Sequence, residues 1–140
     1  MELILHKSYE KAVCGIKLLC DMVQMGKDLT LIVRDNKCAH IGCTVLSLAR
    51  PSLTGRGVST TTSVLNCMGH KDDVIARRFA EAAAVKARAT VVCTCGVHID
   101  SITEKQIHLV LEACEELLSM VLEDIEAPMT ADSDNNGGRI

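Results

Sequence analysis

Aromatic residues are almost missing from this 140-residue sequence: Tyr9 and Phe79 are the only two, and there is no Trp. Modules that grip single-stranded nucleic acid stack bases on several aromatic rings. Their absence argues against that class, and equally against an aromatic-lined carbohydrate or peptide groove. A basic surplus is missing too. The formal net charge is −3, so no global field draws in a phosphate backbone. No apolar run approaches the roughly 18 uninterrupted residues that suggest a membrane-spanning helix. The start, Met1 to His6, reaches charged and polar groups too soon for a secretory signal. Cys-x-x-Cys pairs, the mark of zinc ribbons and thioredoxin-like sites, do not occur although there are eight cysteines. G-x-S-x-G, P-loop and H-E-x-x-H motifs are lacking as well.

Hydrophobic residues make up 48% of the chain and charged residues 24%, the balance of a globular protein with one core. Most cysteines lie inside apolar runs, where a free thiol behaves as a small buried hydrophobe. With no signal segment, the expected compartment is the reducing cytoplasm. Charge is uneven: residues 103–140 hold nine acids and two bases. Residues 127–140 are polar and Gly-rich, with too little apolar surface to order themselves. The expectation is a single domain over 1–126 followed by a flexible C-terminal tail over 127–140.

The hydrophobic pattern first reads as strands. Between Ala12 and Gln24, alternation sets Cys14, Ile16, Leu18, Cys20 and Met22 on one face, although a helical reading also fits. A short Gly-containing turn then leads into the apolar run Leu29–Val33, which favours a hairpin. Asp35 to Cys43 reads as a loop, Thr44 to Ala49 as a third strand before Pro51, and Gly57 to Asn66 as a fourth. From Asp72 the period changes. Ile75, Phe79, Ala82 and Val85 fall on one helical face. Thr90 to Cys95 is a β-branched strand stopped by Gly96. A final helix carries the stripe Ile107, Val110, Leu111, Cys114, Leu117, Leu118, Val121 and Ile125. Ser101 with Glu104, and Thr103 with Gln106, are overlapping capping-box candidates at its start. The order ββββαβα predicts an α+β domain, with two helices covering one mostly antiparallel sheet.

Three histidines sit beside glycines at element boundaries, where a scaffold positions binding groups. His40 precedes Gly42, His70 follows Gly69, and His98 follows Gly96. The segment Gly69, His70, Lys71, Asp72 opens a helix, where unpaired N–H groups and the helix dipole attract anions. With Lys71 beside it, this start suits a phosphate; the plainer alternative is a helix capped by Asp72 among solvated charges. Cys93 and Cys95 share a strand face and read as core. A Cys43 nucleophile near His40 has no local feature to activate its thiol.

Taken in order, three motifs resemble a known family. They are His40-Ile41-Gly42; Gly69-His70-Lys71-Asp72 before a helix with Arg77 and Arg78; and Gly96-Val97-His98, followed by Ile102-Thr103-Glu104-Lys105-Gln106-Ile107. The family is the small D subunit of gallate (phenolic acid) decarboxylases, described as prenylated-flavin chaperone-like. The resemblance covers about residues 28–112. It implies a proteasome-assembly-chaperone-like fold, usually dimeric, and a non-catalytic subunit that binds or delivers prenylated FMN (or FMN). The recipient would be the large subunit of a UbiD-type decarboxylase, in which the chemistry takes place. The cofactor contacts it implies are His40, Gly42, Gly69, His70, Lys71, Gly96 and His98, with no metal. Cys43 stands where family members can carry an Asp. Two other readings stand beside this one. One is an assembly factor without a cofactor, using Glu112, Glu115, Glu116 and Glu123 on the last helix. The other is a small metalloprotein liganded by His40, His70 and His98.

Overall fold

The computed structural model describes residues 6–67 and 72–127. Six strands and two helices follow in the order β1 (His6–Val13), β2 (Ile16–Met25), β3 (Asp28–Asp35), β4 (Cys43–Pro51), β5 (Val58–Asn66), α1 (Asp73–Ala87), β6 (Thr90–Gly96) and α2 (Glu104–Glu123). This is the expected α+β architecture with one strand more than the sequence suggests. The segment read as one strand over Ala12–Gln24 is the end of β1, a turn and most of β2. Cys14 (φ 49°) and Gly15 (φ 76°) both take positive φ, as a two-residue type I′ hairpin requires. The first strand escapes a hydrophobic reading because it is a polar edge strand whose residues are all at least partly exposed.

The sheet order is β1-β2-β3-β6-β4-β5. Only β3 and β6 run parallel; the other neighbours are antiparallel. Inserting β6 between β3 and β4 has a consequence at one end of the sheet: the β3–β4 connection must step across the carboxyl end of β6. The register aligns Cys20, Val33, Cys95 and Cys43 as one cross-strand row, all buried and all on the same face. Both helices cover that face, α1 over β4, β6 and β5, and α2 over β1 and β2. On the other face Ile32, Leu46 and Leu48 remain substantially exposed.

The buried thiols are core fillers. Cys20 is pushed up to about 12 and Cys114 to about 12, in each case mainly by burial. Cys93 and Cys95 are likewise raised by burial, so all four stay protonated at neutral pH.

The inward face of α1 differs from the expected one. Ala76, Phe79, Ala80, Ala83 and Ala84 are buried, whereas Val85 is 41% exposed. Alanine carries little hydrophobic signal, but on a helix it permits close approach to a sheet, and four of them here outvote one valine. The last helix follows its stripe from Val110 onward, through Cys114, Leu117, Leu118 and Val121. Its first turns do not: Ile107 is 42% and Leu111 39% exposed. Of the two capping candidates, Thr103 with Gln106 forms, each side chain bonding the other's backbone N–H. Ser101 takes positive φ instead.

Side-chain ties fix α2 in place. The Tyr9 hydroxyl donates to Asp124 at 2.6 Å, Lys11 pairs with Glu116, and Arg78 makes a two-pronged pair with Glu115 at 2.8 and 3.1 Å. Two of the four glutamates expected to face a basic partner are thus engaged within the chain. No helix among the described residues is long and apolar enough to cross a membrane.

Ala80→Leu should overpack the helix–sheet contact and lower stability by about 1–3 kcal/mol. Val85→Ser should change it by less than about 0.5 kcal/mol. Urea unfolding of the two variants reads the difference; equal losses would contradict this assignment of the buried face.

Candidate functional site

The site lies at the carboxyl ends of the parallel pair β3 and β6. Their onward connections, one to β4 and the other to α2, cross there and pack against each other.

Asp35 ends β3 and is completely buried. Its Oδ1 accepts from the backbone N–H of Lys37 at 2.8 Å and of Cys38 at 2.5 Å, and its Oδ2 from that of His98 at 2.9 Å. One carboxylate therefore shapes its own loop and holds the loop that follows β6. Burial by itself raises a carboxyl pKa. Here the donors from Cys38, His98 and Lys37, with the nearby His40 ring, outweigh it and hold Asp35 below its ordinary value.

Asp72 braces the same loop from the other side. It stands at the N-cap of α1 but makes no capping hydrogen bond. Its Oδ1 instead accepts from the backbone N–H of Val97 at 3.2 Å, and its Oδ2 lies 3.6 Å from His40 Nε2. The expected capping role is thus replaced by a tie across the fold. The consecutive N–H groups of Val97 and His98 are held by two carboxylates from two different elements. His40 donates from Nδ1 to the Cys38 carbonyl at 2.9 Å, which fixes its ring.

Two of the expected glycines are required by contact rather than by turn geometry. A Cβ on Gly96 would collide with the His40 backbone carbonyl, where the β3–β4 loop steps over β6. A Cβ on Gly42 would strike the Asp72 carboxylate. The Gly42 backbone is itself pinned, donating to the Cys95 carbonyl at 2.9 Å and accepting from the Cys67 N–H at 2.8 Å.

Four of the seven expected site residues, His40, Gly42, Gly96 and His98, thus meet at one end of the sheet. Gly69, His70 and Lys71 lie outside the described residues. Among the described residues no group of three or more His, Cys, Asp or Glu is arranged to hold a metal ion. The His98 ring turns to Asp100, donating from Nε2 to Oδ1 at 2.8 Å. Cys43 is buried, and burial with the nearby Asp72 and Asp73 pushes its thiol up to about 11, the opposite of an activated nucleophile.

Beside these loops is a cavity of about 400 Å³, within the range of small-molecule sites. Asp72, Val74 and Ile75 line it from the start of α1. Val97, His98, Ile99 and Ile102 line it from the β6–α2 loop, and Ile107, Val110 and Leu111 from α2. The histidine and glycine motifs point to this end of the sheet, but Asp35 and the aliphatic wall carry no motif. The signal for Asp35 is positional: an Asp closing an apolar strand before Asn36 and Lys37 is placed to accept from backbone N–H groups just ahead of it.

Asp35→Ala leaves three buried N–H groups without their acceptor and should lower stability at pH 7 by about 3 kcal/mol or more. The folded pKa of Asp35 lies below its unfolded value. Its contribution is therefore complete above the ordinary Asp range near about pH 4 and fades as pH falls through the folded value. Unfolding midpoints of Asp35→Asn and the parent, followed from pH 7 to pH 2.5, should keep a constant gap down to about pH 5 and then converge. Gly96→Ala should cost about 2 kcal/mol or more, because a backbone carbonyl cannot give way as a side chain can; a neutral result would contradict the crossing of the loop over β6.

No curated protein matches the chain. Among solved structures, it is similar to a chain in the crystal structure of a novel chaperone complex for yeast 20S proteasome assembly. The identity is 16%, the TM-score 0.49, and the coverage 85% of this chain and 99% of that one. A family model described as the prenylated flavin chaperone LpdD-like domain matches residues 12–126. Spanning nearly the whole described fold and all three histidine motifs, that match makes this chain a member of the prenylated flavin chaperone LpdD-like domain family.

Proposed function

We propose that the chain is a non-catalytic accessory protein that binds prenylated FMN and hands it to the large subunit of a UbiD-type decarboxylase. The observation that carries this reading is the family match over residues 12–126, joined to a small-molecule-sized cavity at the end of the sheet where the motifs meet. The residues present fit a flavin in two ways. The cavity has the volume and apolar wall of a ligand site. The first turn of α1 borders it without a cap from the Asp72 side chain, which is occupied elsewhere; such a helix start suits a phosphate when cations are close. His70 and Lys71, immediately before Asp72 in the chain, supply them in this proposal. His98 lines the cavity from the β6–α2 loop, and His40, Gly42 and Gly96 pack behind Asp72 and that loop rather than in the wall.

When bound, the prenylated flavin supplies the electron sink for decarboxylation, and it does so in the partner. The part of this chain is to orient and shield the ligand. The raised thiols and the ring of His40, fixed by the Cys38 carbonyl, suit a carrier better than a catalyst. The working form in this proposal is a cytoplasmic homodimer.

Native mass spectrometry of protein made anaerobically, in cells that also express a flavin prenyltransferase, tests the reading. The expected spectrum is a dimer carrying the mass of prenylated FMN. His70→Ala with Lys71→Ala should lose that mass while remaining dimeric. Unchanged retention in the double variant would remove the phosphate site from the proposal. A bare parent protein would favour an assembly factor that acts without a cofactor.

A further inference from the structure

We infer that the aliphatic cavity receives the hydrocarbon ring that prenylation adds to the flavin, and that Ile102, Ile107 and Leu111 set a preference for prenylated over plain FMN. This rests on the proposed function and adds to it the part of the ligand that is recognised.

The argument begins with a misfit. Ile107 and Leu111 are one turn apart on α2 and in register with its core stripe, yet about two-fifths of each remains in contact with solvent. The core beneath α2 is filled from Val110 onward, so its first two turns overhang the sheet. Ile102, 38% exposed, and Val74, 62% exposed, face the same space. Four large aliphatic side chains gathered around one concavity are costly in water and gain from a hydrocarbon occupant.

The wall also defines what it does not suit. Among the described residues it has no Phe, Tyr or Trp ring: Tyr9 is tied to Asp124 at the far end of α2, and Phe79 is buried beneath α1. Among the described residues its polar side chains are Asp72 and His98. Asp72 already accepts from Val97, and His98 already donates to Asp100. Such a surface offers little to the hydrogen-bonding edge of an unmodified flavin. Its Asp72 carboxylate is compatible with a ring system bearing positive charge, as the oxidised prenylated flavin does. The orientation in this proposal is the added ring against the aliphatic wall of Ile102, Ile107 and Leu111, with the phosphate toward the start of α1. An open cavity of about 400 Å³ lined by three elements also suits part of a small molecule better than a partner helix.

Anaerobic binding titrations of the full chain with prenylated FMN and with FMN test this. The parent protein should prefer prenylated FMN by about tenfold or more, since partial burial of five added carbons suffices for that ratio. Ile107→Ser with Leu111→Ser should reduce the preference to about twofold, by weakening prenylated FMN more than FMN. These side chains are partly exposed, so the variant is expected to fold, and its unfolding midpoint checks that. Ile107→Met with Leu111→Met should retain the preference. Equal affinity of the parent for both flavins would overturn the inference while leaving the flavin-carrier reading intact. So would a preference that survives the serine substitutions, including the case where those substitutions abolish capture of the decarboxylase subunit instead. Binding of neither flavin would overturn both.

Discussion

The buried carboxylate of Asp35 is the constraint on which this end of the molecule depends. A sheet that places β6 between β3 and β4 brings together two loops that are distant in sequence, and their exposed N–H groups need acceptors. Asp35 supplies one carboxylate to both loops, taking two donors from its own and one from the next. Asp72 then takes the neighbouring donor, Val97 N–H, from the start of α1. Between them the two aspartates lock three segments, the β3–β4 loop, the start of α1 and the β6–α2 loop, into one frame. The glycines follow from it. Gly42 and Gly96 are needed because a carboxylate and a carbonyl pass where a Cβ would stand. The histidines are held by the same frame, with His40 near Asp72 and the His98 backbone on Asp35.

This explains which parts of the fold could be read from the sequence. Alternation and period changes report burial, and they locate β2, β3, β4, β6 and both helices because each buries an apolar face; β5, an edge strand with no fully buried residue, is read instead from its Ser, Thr and Val. They miss β1, whose lysines, glutamate and histidine belong to an exposed edge; only the Cys14-Gly15 turn hints at it. They misplace the face of α1, because alanines pack closely without registering as hydrophobic. Strand order leaves no local trace at all. Nothing in Thr90–Gly96 says that it enters the middle of the sheet, so the crossing of the β3–β4 loop over its end was invisible.

The site was legible in a different sense. Motif order marked His40, Gly42, Gly96 and His98, and they do meet. The reason they meet, two aspartates accepting from adjacent N–H groups, lies in pairings 25 and 63 residues apart in sequence, beyond the reach of any spacing rule. The expectation that Asp72 caps its own helix is the instructive error. The same residue type at the same position serves the tertiary frame instead, and the first turn of α1 receives no cap from the Asp72 side chain. An N-cap residue committed elsewhere is a local cost. It is offset by the ordering of a loop.

For a carrier, the chemistry of the wall matters as much as its shape. A protein that passes on its ligand must hold it less tightly than the acceptor does. Hydrogen bonds to buried polar groups give sharp discrimination, but each must be broken and resolvated on release. Aliphatic contact is non-directional and is surrendered gradually as surface is uncovered. In the proposed function, a rigid polar frame that spends its carboxylates on the protein's own backbone, next to an aliphatic wall left open to the ligand, divides these two demands. The frame keeps the cavity formed when it is empty, so little ordering is needed on binding. The wall recognises what is hydrocarbon in the ligand without fastening its polar edge. Near-absence of aromatic residues belongs to the same division, since stacking on both faces of a flavin would slow its departure.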